Sequence, residues 1–162
     1  MKKELIILHV NGREYQLACE PNQLLLDVLR HDLGLTGAKR SCDDSSCGSC
    51  TVLMDGIPML SCTLLAASCQ GSEITTVEAV AEDGRLSAVQ HAWGASVGAQ
   101  CGFCTPGFVL TIKALFDNNP DPTDDEIKRA ISGNLCRCTG YSQMYEAVRS
   151  ALRIQAKATG GE

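Results

Sequence analysis

Aromatic residues are scarce in this chain: three Phe, three Tyr and one Trp among 162 residues. A core built from it lacks the usual bulky anchors, so something besides packing is expected to contribute stability. No apolar run approaches the roughly 18 residues of a transmembrane helix, which argues against membrane insertion. Basic residues number 14 against 19 acidic ones, for a formal charge of −5, and they form neither a stripe nor a tail. That excludes a nucleic-acid backbone as the main partner. No Ser/His/Asp or paired-carboxylate arrangement can be defended, and no repeat or low-complexity segment is present. Gly34, Gly37 and Lys39 superficially look like a phosphate loop, but the spacing is wrong and no Ser or Thr follows the lysine. His9, His31 and His91 fall in no motif and are read as structural.

Cysteine, by contrast, is plentiful, with ten residues. The length allows one domain or two small ones, and 44% hydrophobic with 20% charged residues excludes disorder. The N-terminal apolar stretch Leu5-Ile6-Ile7-Leu8 is too short for a signal-peptide core and reads as a strand of a cytoplasmic protein. In a reducing cytoplasm a disulfide framework is disfavoured, and metal becomes the leading account of the cysteines.

The first half reads as short strands. Residues 4–10 and 14–19 flank an Asn11-Gly12 hairpin turn. Asn22 is expected to cap a helix from about Leu24 to Leu33, stopped at Gly34. After an irregular stretch from Thr36 to Cys50, Thr51–Met54 forms a strand turned at Asp55-Gly56. Pro58 confines the next run to a sheet edge, and residues 73–77 make a last strand. This order predicts a small mixed sheet folded over one helix.

The second half changes period. Leu86 to Val97 carries apolar residues at helical spacing. Thr105-Pro106 reads as N-cap and first-turn proline of a helix to about Asn118. Thr123 to Glu126 is a capping box for a helix over 124–132. A fourth helix starts at Ser142, with a frayed tail after about 157. Glu82-Asp83-Gly84 marks a turn at the boundary. The fold class is therefore α+β: residues 1–78 form a sheet domain, and residues 79–162 form a four-helix bundle domain.

Each half carries four cysteines. Cys42, Cys47, Cys50 and Cys62 are spaced C-x4-C-x2-C-x11-C, the plant-type pattern for a [2Fe–2S] cluster. Gly48 in this loop allows close backbone approach. Cys101, Cys104, Cys136 and Cys138 are spaced C-x2-C-x31-C-x-C, each pair just ahead of a helix start, where negative charge is favoured. Zinc sites prefer two C-x2-C knuckles, which neither group supplies. Cys101-Gly102-Phe103-Cys104 lacks the βαβ setting of a thioredoxin-like motif. Cys19 and Cys69 are left over and read as buried small hydrophobes.

Two strings carry a family resemblance: Gln100-Cys101-Gly102-Phe103-Cys104-Thr105-Pro106-Gly107 and Gly133-Asn134-Leu135-Cys136-Arg137-Cys138-Thr139-Gly140-Tyr141. With them the chain resembles, over nearly its whole length, the small iron–sulfur subunits and domains of the molybdenum hydroxylases. That is the family of xanthine dehydrogenase, aldehyde oxidoreductase, carbon monoxide dehydrogenase and 4-hydroxybenzoyl-CoA reductase. The resemblance implies a plant-ferredoxin-like β-grasp domain followed by a helical [2Fe–2S] domain, and two clusters held by the eight cysteines above. It implies a large partner subunit carrying a molybdopterin-type molybdenum cofactor, with Gln100 and Cys138 approaching the pterin. The first cluster would face an FAD-binding medium subunit or another acceptor, making this chain an electron relay with no substrate chemistry of its own. One departure stands out. The family usually has glycine at the positions of Ser41 and Ser45, and serine hydroxyls there are expected to hydrogen-bond cluster sulfurs and raise the potential. The rival readings are a free-standing ferredoxin-like carrier and a zinc-stabilised interaction module.

Overall fold

The computed structural model describes residues 2–81 and 83–159. Strands β1 (Glu4–Val10) and β2 (Arg13–Cys19) form an antiparallel hairpin. Its turn residues Asn11 and Gly12 both take positive φ (55° and 70°), as a twist-matched two-residue turn requires. Along β1, Ile6, Leu8 and Val10 are buried while Leu5 and Ile7 face out, the alternation of a sheet covered on one side. β3 (Thr51–Met54) and β4 (Ile57–Leu60) form a second hairpin around Asp55-Gly56. β5 (Glu73–Thr75) runs parallel to β1 and antiparallel to β3, giving a mixed sheet of order β2-β1-β5-β3-β4. Pro58 lies on the edge strand β4, as expected.

Several boundaries differ from the sequence reading. The last strand stops at Thr75 because Thr76 turns to the Asn11 side chain: Thr76 N–H donates to Asn11 Oδ1 at 2.8 Å, and Asn11 Nδ2 donates to Thr76 Oγ1 at 2.9 Å. The helix expected from Leu24 with Asn22 as cap begins at Leu25, and Leu24 is the N-cap. No side-chain cap is needed, since the N–H groups of Leu25 and Leu26 donate to Leu64 O and Ser61 O. Only Leu25–Asp27 (α1) is α-helical; Val28–Asp32 widens to a π turn. Leu25, Leu26, Val28 and Leu29 all pack under the sheet with Leu8 and Ile74.

The second half is helical. α2 (Ala88–Ala95) starts two residues late, because Ser87 and Gln90 form a capping box the sequence reading missed and Leu86 stays exposed. α3 (Thr105–Asn118) has Cys104, not Thr105, at its N-cap. α4 (Asp124–Ile131) carries the expected Thr123–Glu126 capping box. α5 spans Ser142–Thr159, two residues into the expected tail, and 160–162 lie outside the described residues. So does Glu82 of the expected turn; Asp83 and Gly84 both take positive φ. The expectation of a core without bulky anchors is corrected. Six of the seven aromatics lie beyond residue 78, and Trp93, Phe108 and Phe116 are buried among α2, α3 and α5. The Trp93 and Phe108 rings sit 5.6 Å apart, and Tyr141 meets Phe108 edge-on at 6.3 Å. α3 also packs across β3 and β4, and Leu53 of β3 belongs to the helical core. This contact brings the two cysteine-bearing regions together.

Candidate metal centres

Residues 36–50 form neither helix nor strand. The loop is held instead by bonds from outside it: Leu135 N–H donates to Cys47 O at 2.9 Å. Within the loop, Lys39 N–H donates to Ser49 O at 2.9 Å. Ser45 occupies the left-handed region (φ 65°) where the resemblance places glycine, whereas Ser41 does not. Both hydroxyls reach ligand-type sulfurs. The Cys62 thiol donates to Ser45 Oγ at 3.8 Å, and the Ser41 side chain acts to favour the Cys47 thiolate. Burial disfavours the Cys47 thiolate, but hydrogen bonds from Ser49, Cys42 and Ser41 outweigh it and lower its pKa. Cys50 is pushed up to about 11 by burial and then by Cys62. The Arg40 guanidinium, hydrogen-bonded to Asp27 at 2.6 Å, provides positive charge toward Cys62 and Cys50.

In the helical half, Cys104 caps α3 and the Cys136–Cys138 segment leads into α5. The Cys138 thiol donates to Cys101 Sγ at 3.5 Å, and Cys104 pairs with Cys136. Burial, followed by that contact, pushes Cys104 up to about 12. Cys101 is shifted down, first by the Phe103 N–H. Three donors converge on Cys136 Sγ: Thr139 Oγ1 at 3.2 Å, Cys138 N–H at 3.4 Å and Thr139 N–H at 3.5 Å. They outweigh its burial and lower its pKa. The Cys136 N–H donates to Tyr141 Oη at 2.9 Å.

Cys101 and Cys138 are in direct contact, and the thiols that act electrostatically on one another are Cys42 with Cys47, Cys50 with Cys62, and Cys104 with Cys136. Among the described residues no three His, Cys, Asp or Glu side chains converge on one point. A single tetrahedral ion needs four donors around one centre. A dinuclear [2Fe–2S] core divides four thiolates two to each iron, so this donor set fits that group in both halves. Thiols such as Cys50 and Cys104, protonated at neutral pH, release their protons on ligation. A cavity of about 400 Å³ is lined from both halves, by Cys42 and Cys47 on one side and Cys101, Cys104, Cys136 and Cys138 on the other. Gln100, Cys101 and Cys138 are exposed, whereas Cys47 and Cys50 are buried. Cys19 and Cys69, each 1% exposed, pack in the sheet core as expected and join neither group.

Sequence reasoning gave no role to four residues around these groups: Thr111, which it passed over, and Asn134, Thr139 and Tyr141, which it read only as part of the family string. Thr139 and Tyr141 lie one and three residues beyond Cys138, close enough for a role beside that ligand to be read from sequence. Thr111 lies seven residues beyond Cys104 on α3, and its meeting with Asn134 is a tertiary fact. Gly48 does allow close approach, but to the other half of the chain: a Cβ there would lie 2.3 Å from Gly133 O.

Residues 8–70 match the family described as 2Fe-2S iron-sulfur cluster binding domain, and residues 76–149 match the [2Fe-2S] binding domain family. The nicotinate dehydrogenase small FeS subunit of Eubacterium barkeri is 51% identical over 152 residues, covering 94% of this chain and 97% of that protein. The crystal structure of quinoline 2-oxidoreductase from Pseudomonas putida 86 contains a chain of the same fold, with TM-score 0.91, 38% identity and complete coverage of both chains. Aldehyde oxidoreductase from Desulfovibrio desulfuricans matches at TM-score 0.89 and 40% identity over 94% of this chain but 17% of its own. The fold thus also occurs as one segment of a larger polypeptide.

Proposed function

The chain belongs to the family of small [2Fe–2S] subunits of the molybdenum hydroxylases, and on that premise we propose the following assignment of its parts. It is an electron-transfer subunit of a molybdenum-dependent oxidoreductase, working between a large catalytic subunit and a flavin subunit or other acceptor. Residues 1–78 constitute the ferredoxin-type domain, with Cys42, Cys47, Cys50 and Cys62 as ligands. Residues 79–162 constitute the helical domain, with Cys101, Cys104, Cys136 and Cys138. A [2Fe–2S] cluster supplies one-electron redox chemistry when bound; the chain supplies thiolates, hydrogen bonds and position. Among the described residues no helix is long and apolar enough to cross a membrane, and we place the complex in the cytoplasm.

The observation that carries this reading is that Cys42 and Cys47 of the first group and all four cysteines of the second line one cavity of about 400 Å³. Exposure supports a direction. Gln100 and Cys138 lie at the surface, where an amide and a ligand sulfur can hydrogen-bond the pterin of a molybdenum cofactor in the large subunit. Phe103 and Leu135, 43% and 51% exposed, offer apolar area beside them for that subunit to cover.

The test is the reduced complex in EPR. Two distinct cluster signals are expected, with co-purifying large and FAD-binding subunits identified by mass spectrometry. Cys138→Ala should remove one signal, keep the other, and uncouple substrate oxidation from the acceptor. A colourless zinc-loaded chain, or a partner-free monomer in native extracts, would overturn the reading.

A further inference from the structure

The two cysteine loops are not merely neighbours. One buried amide fastens them. Asn134 lies two residues before Cys136, is 4% exposed, and uses both ends of its side chain. Its Nδ2 donates to Gly48 O at 3.0 Å, inside the Cys47–Cys50 segment. Its Oδ1 accepts from Thr111 Oγ1 of α3 at 2.9 Å. Gly48 O in turn accepts from Thr51 Oγ1 at 2.7 Å, which anchors the same point to β3. The next residue along, Leu135, donates its N–H to Cys47 O at 2.9 Å. A covalent path broken by one hydrogen bond therefore runs from Cys47 to Cys136.

The packing around the amide leaves no slack. A Cβ on Gly48 would lie 2.3 Å from Gly133 O and 2.6 Å from Asn134 Nδ2. A Cβ on Gly107 would lie 2.4 Å from Gly48 O and 2.9 Å from the same Nδ2. Two glycines thus let the backbones of both halves close around Asn134. A buried amide with both ends satisfied is directional, unlike an apolar contact, and fixes the register of the loops it joins.

We propose that Asn134 is a positioning residue that holds the two cysteine loops in register and thereby sets the coupling between the two clusters. This rests on the two-cluster reading above. The amide neither ligates iron nor touches substrate; it acts through Gly48 and the Cys47–Leu135 hydrogen bond. Leucine at this position keeps the approximate volume and removes both hydrogen bonds, leaving Gly48 O without one of its donors and Thr111 Oγ1 without its acceptor.

The experiment uses the cluster-loaded native complex, comparing wild type, Asn134→Leu and Thr111→Val. Dipolar coupling between two paramagnets falls with the cube of their separation, so the spin–spin splitting in the fully reduced EPR spectrum reads the register directly. Asn134→Leu should retain iron content and both individual signals, change that splitting, and slow inter-cluster electron transfer after flash reduction several-fold. Thr111→Val, which loses only the bond to Oδ1, should move both readouts in the same direction by less. Unchanged splitting and rate in Asn134→Leu, even with lowered thermal stability, would overturn the assignment, because that is the outcome of a purely structural role. If Asn134→Leu fails to retain both clusters, Thr111→Val decides by the same two readouts. Absence of two signals in the wild-type complex would instead sink the two-cluster reading itself.

Discussion

Gly107→Ala tests the closeness of the two halves by reversing an ordinary expectation. Gly107 sits in the first turn of α3 without a positive φ, where alanine normally stabilises a helix by up to about 1 kcal/mol. Here the added methyl would meet Gly48 O at 2.4 Å and Asn134 Nδ2 at 2.9 Å. One of these is backbone and the other is held at both ends, so the Gly48 loop must retreat. Overpacking of this kind costs about 1–3 kcal/mol. Separating the amide from Gly48 O leaves a buried donor short of its partner, costing about another 1–3 kcal/mol. The net effect is a loss of about 3 kcal/mol, or about 6–12 °C in unfolding midpoint for a chain of this size. Gly94→Ala in α2 is the control, since its Cβ meets nothing within 4 Å; it should be neutral or stabilise by up to about 1 kcal/mol. Thermal unfolding would be followed by far-UV circular dichroism, with visible cluster absorbance as the second probe. If Gly107→Ala matches Gly94→Ala, the contact between the halves is not load-sharing and the reasoning fails.

Three further outcomes rest on other contacts of the structure. Ser45→Gly removes a side chain from the left-handed region, which costs an L-residue about 1–2 kcal/mol. It should raise stability while lowering the potential of the ferredoxin-type cluster by loss of the hydroxyl at Cys62; a potential unmoved in an EPR redox titration would count against a role for that hydroxyl. Thr139→Val deletes the 3.2 Å bond to Cys136 Sγ and should lower the potential of the helical cluster alone. Equal shifts in both clusters would refute the local cause. Acid should weaken the helical domain from about pH 4 downward. Asp124 is held below its ordinary value of 3.8 by Tyr145 and then Arg149, and Glu126 below 4.5 by Thr123. Carboxylates with depressed folded pKa contribute stability above their unfolded values and lose it as pH falls through the folded ones. Asp124→Asn combined with Glu126→Gln should flatten that acid limb in urea unfolding at pH 3 against pH 6, and a limb of unchanged slope would contradict the account.

Much of the fold was legible because its signals are local. Asn11-Gly12 and Asp55-Gly56 announce hairpins through backbone preference alone, and the Thr123–Glu126 capping box works within a single turn. The misplaced boundaries share a cause: distant groups replaced local ones. Leu24 rather than Asn22 begins the first helix because Leu64 O and Ser61 O accept its free N–H groups. The last strand ends at Thr75 because Asn11 captures Thr76. Aromatic composition averaged over the whole chain also hid the concentration of Trp93, Phe108 and Phe116 under one half.

By itself the sequence determined the donor chemistry, two sets of four cysteines, together with the hairpins and helix starts beside them. Thiol identity and spacing are properties of the covalent chain. Only the tertiary structure decided which cysteines pair and which are exposed. It alone showed that Ser41 and Ser45 reach Cys47 and Cys62, and that Asn134 joins the two loops. The last of these depends on α3 packing across β3 and β4, which brings Gly48 and Asn134 together across 86 residues of chain. A side chain meets such a partner only after both have folded, so no pattern in sequence spacing records the meeting.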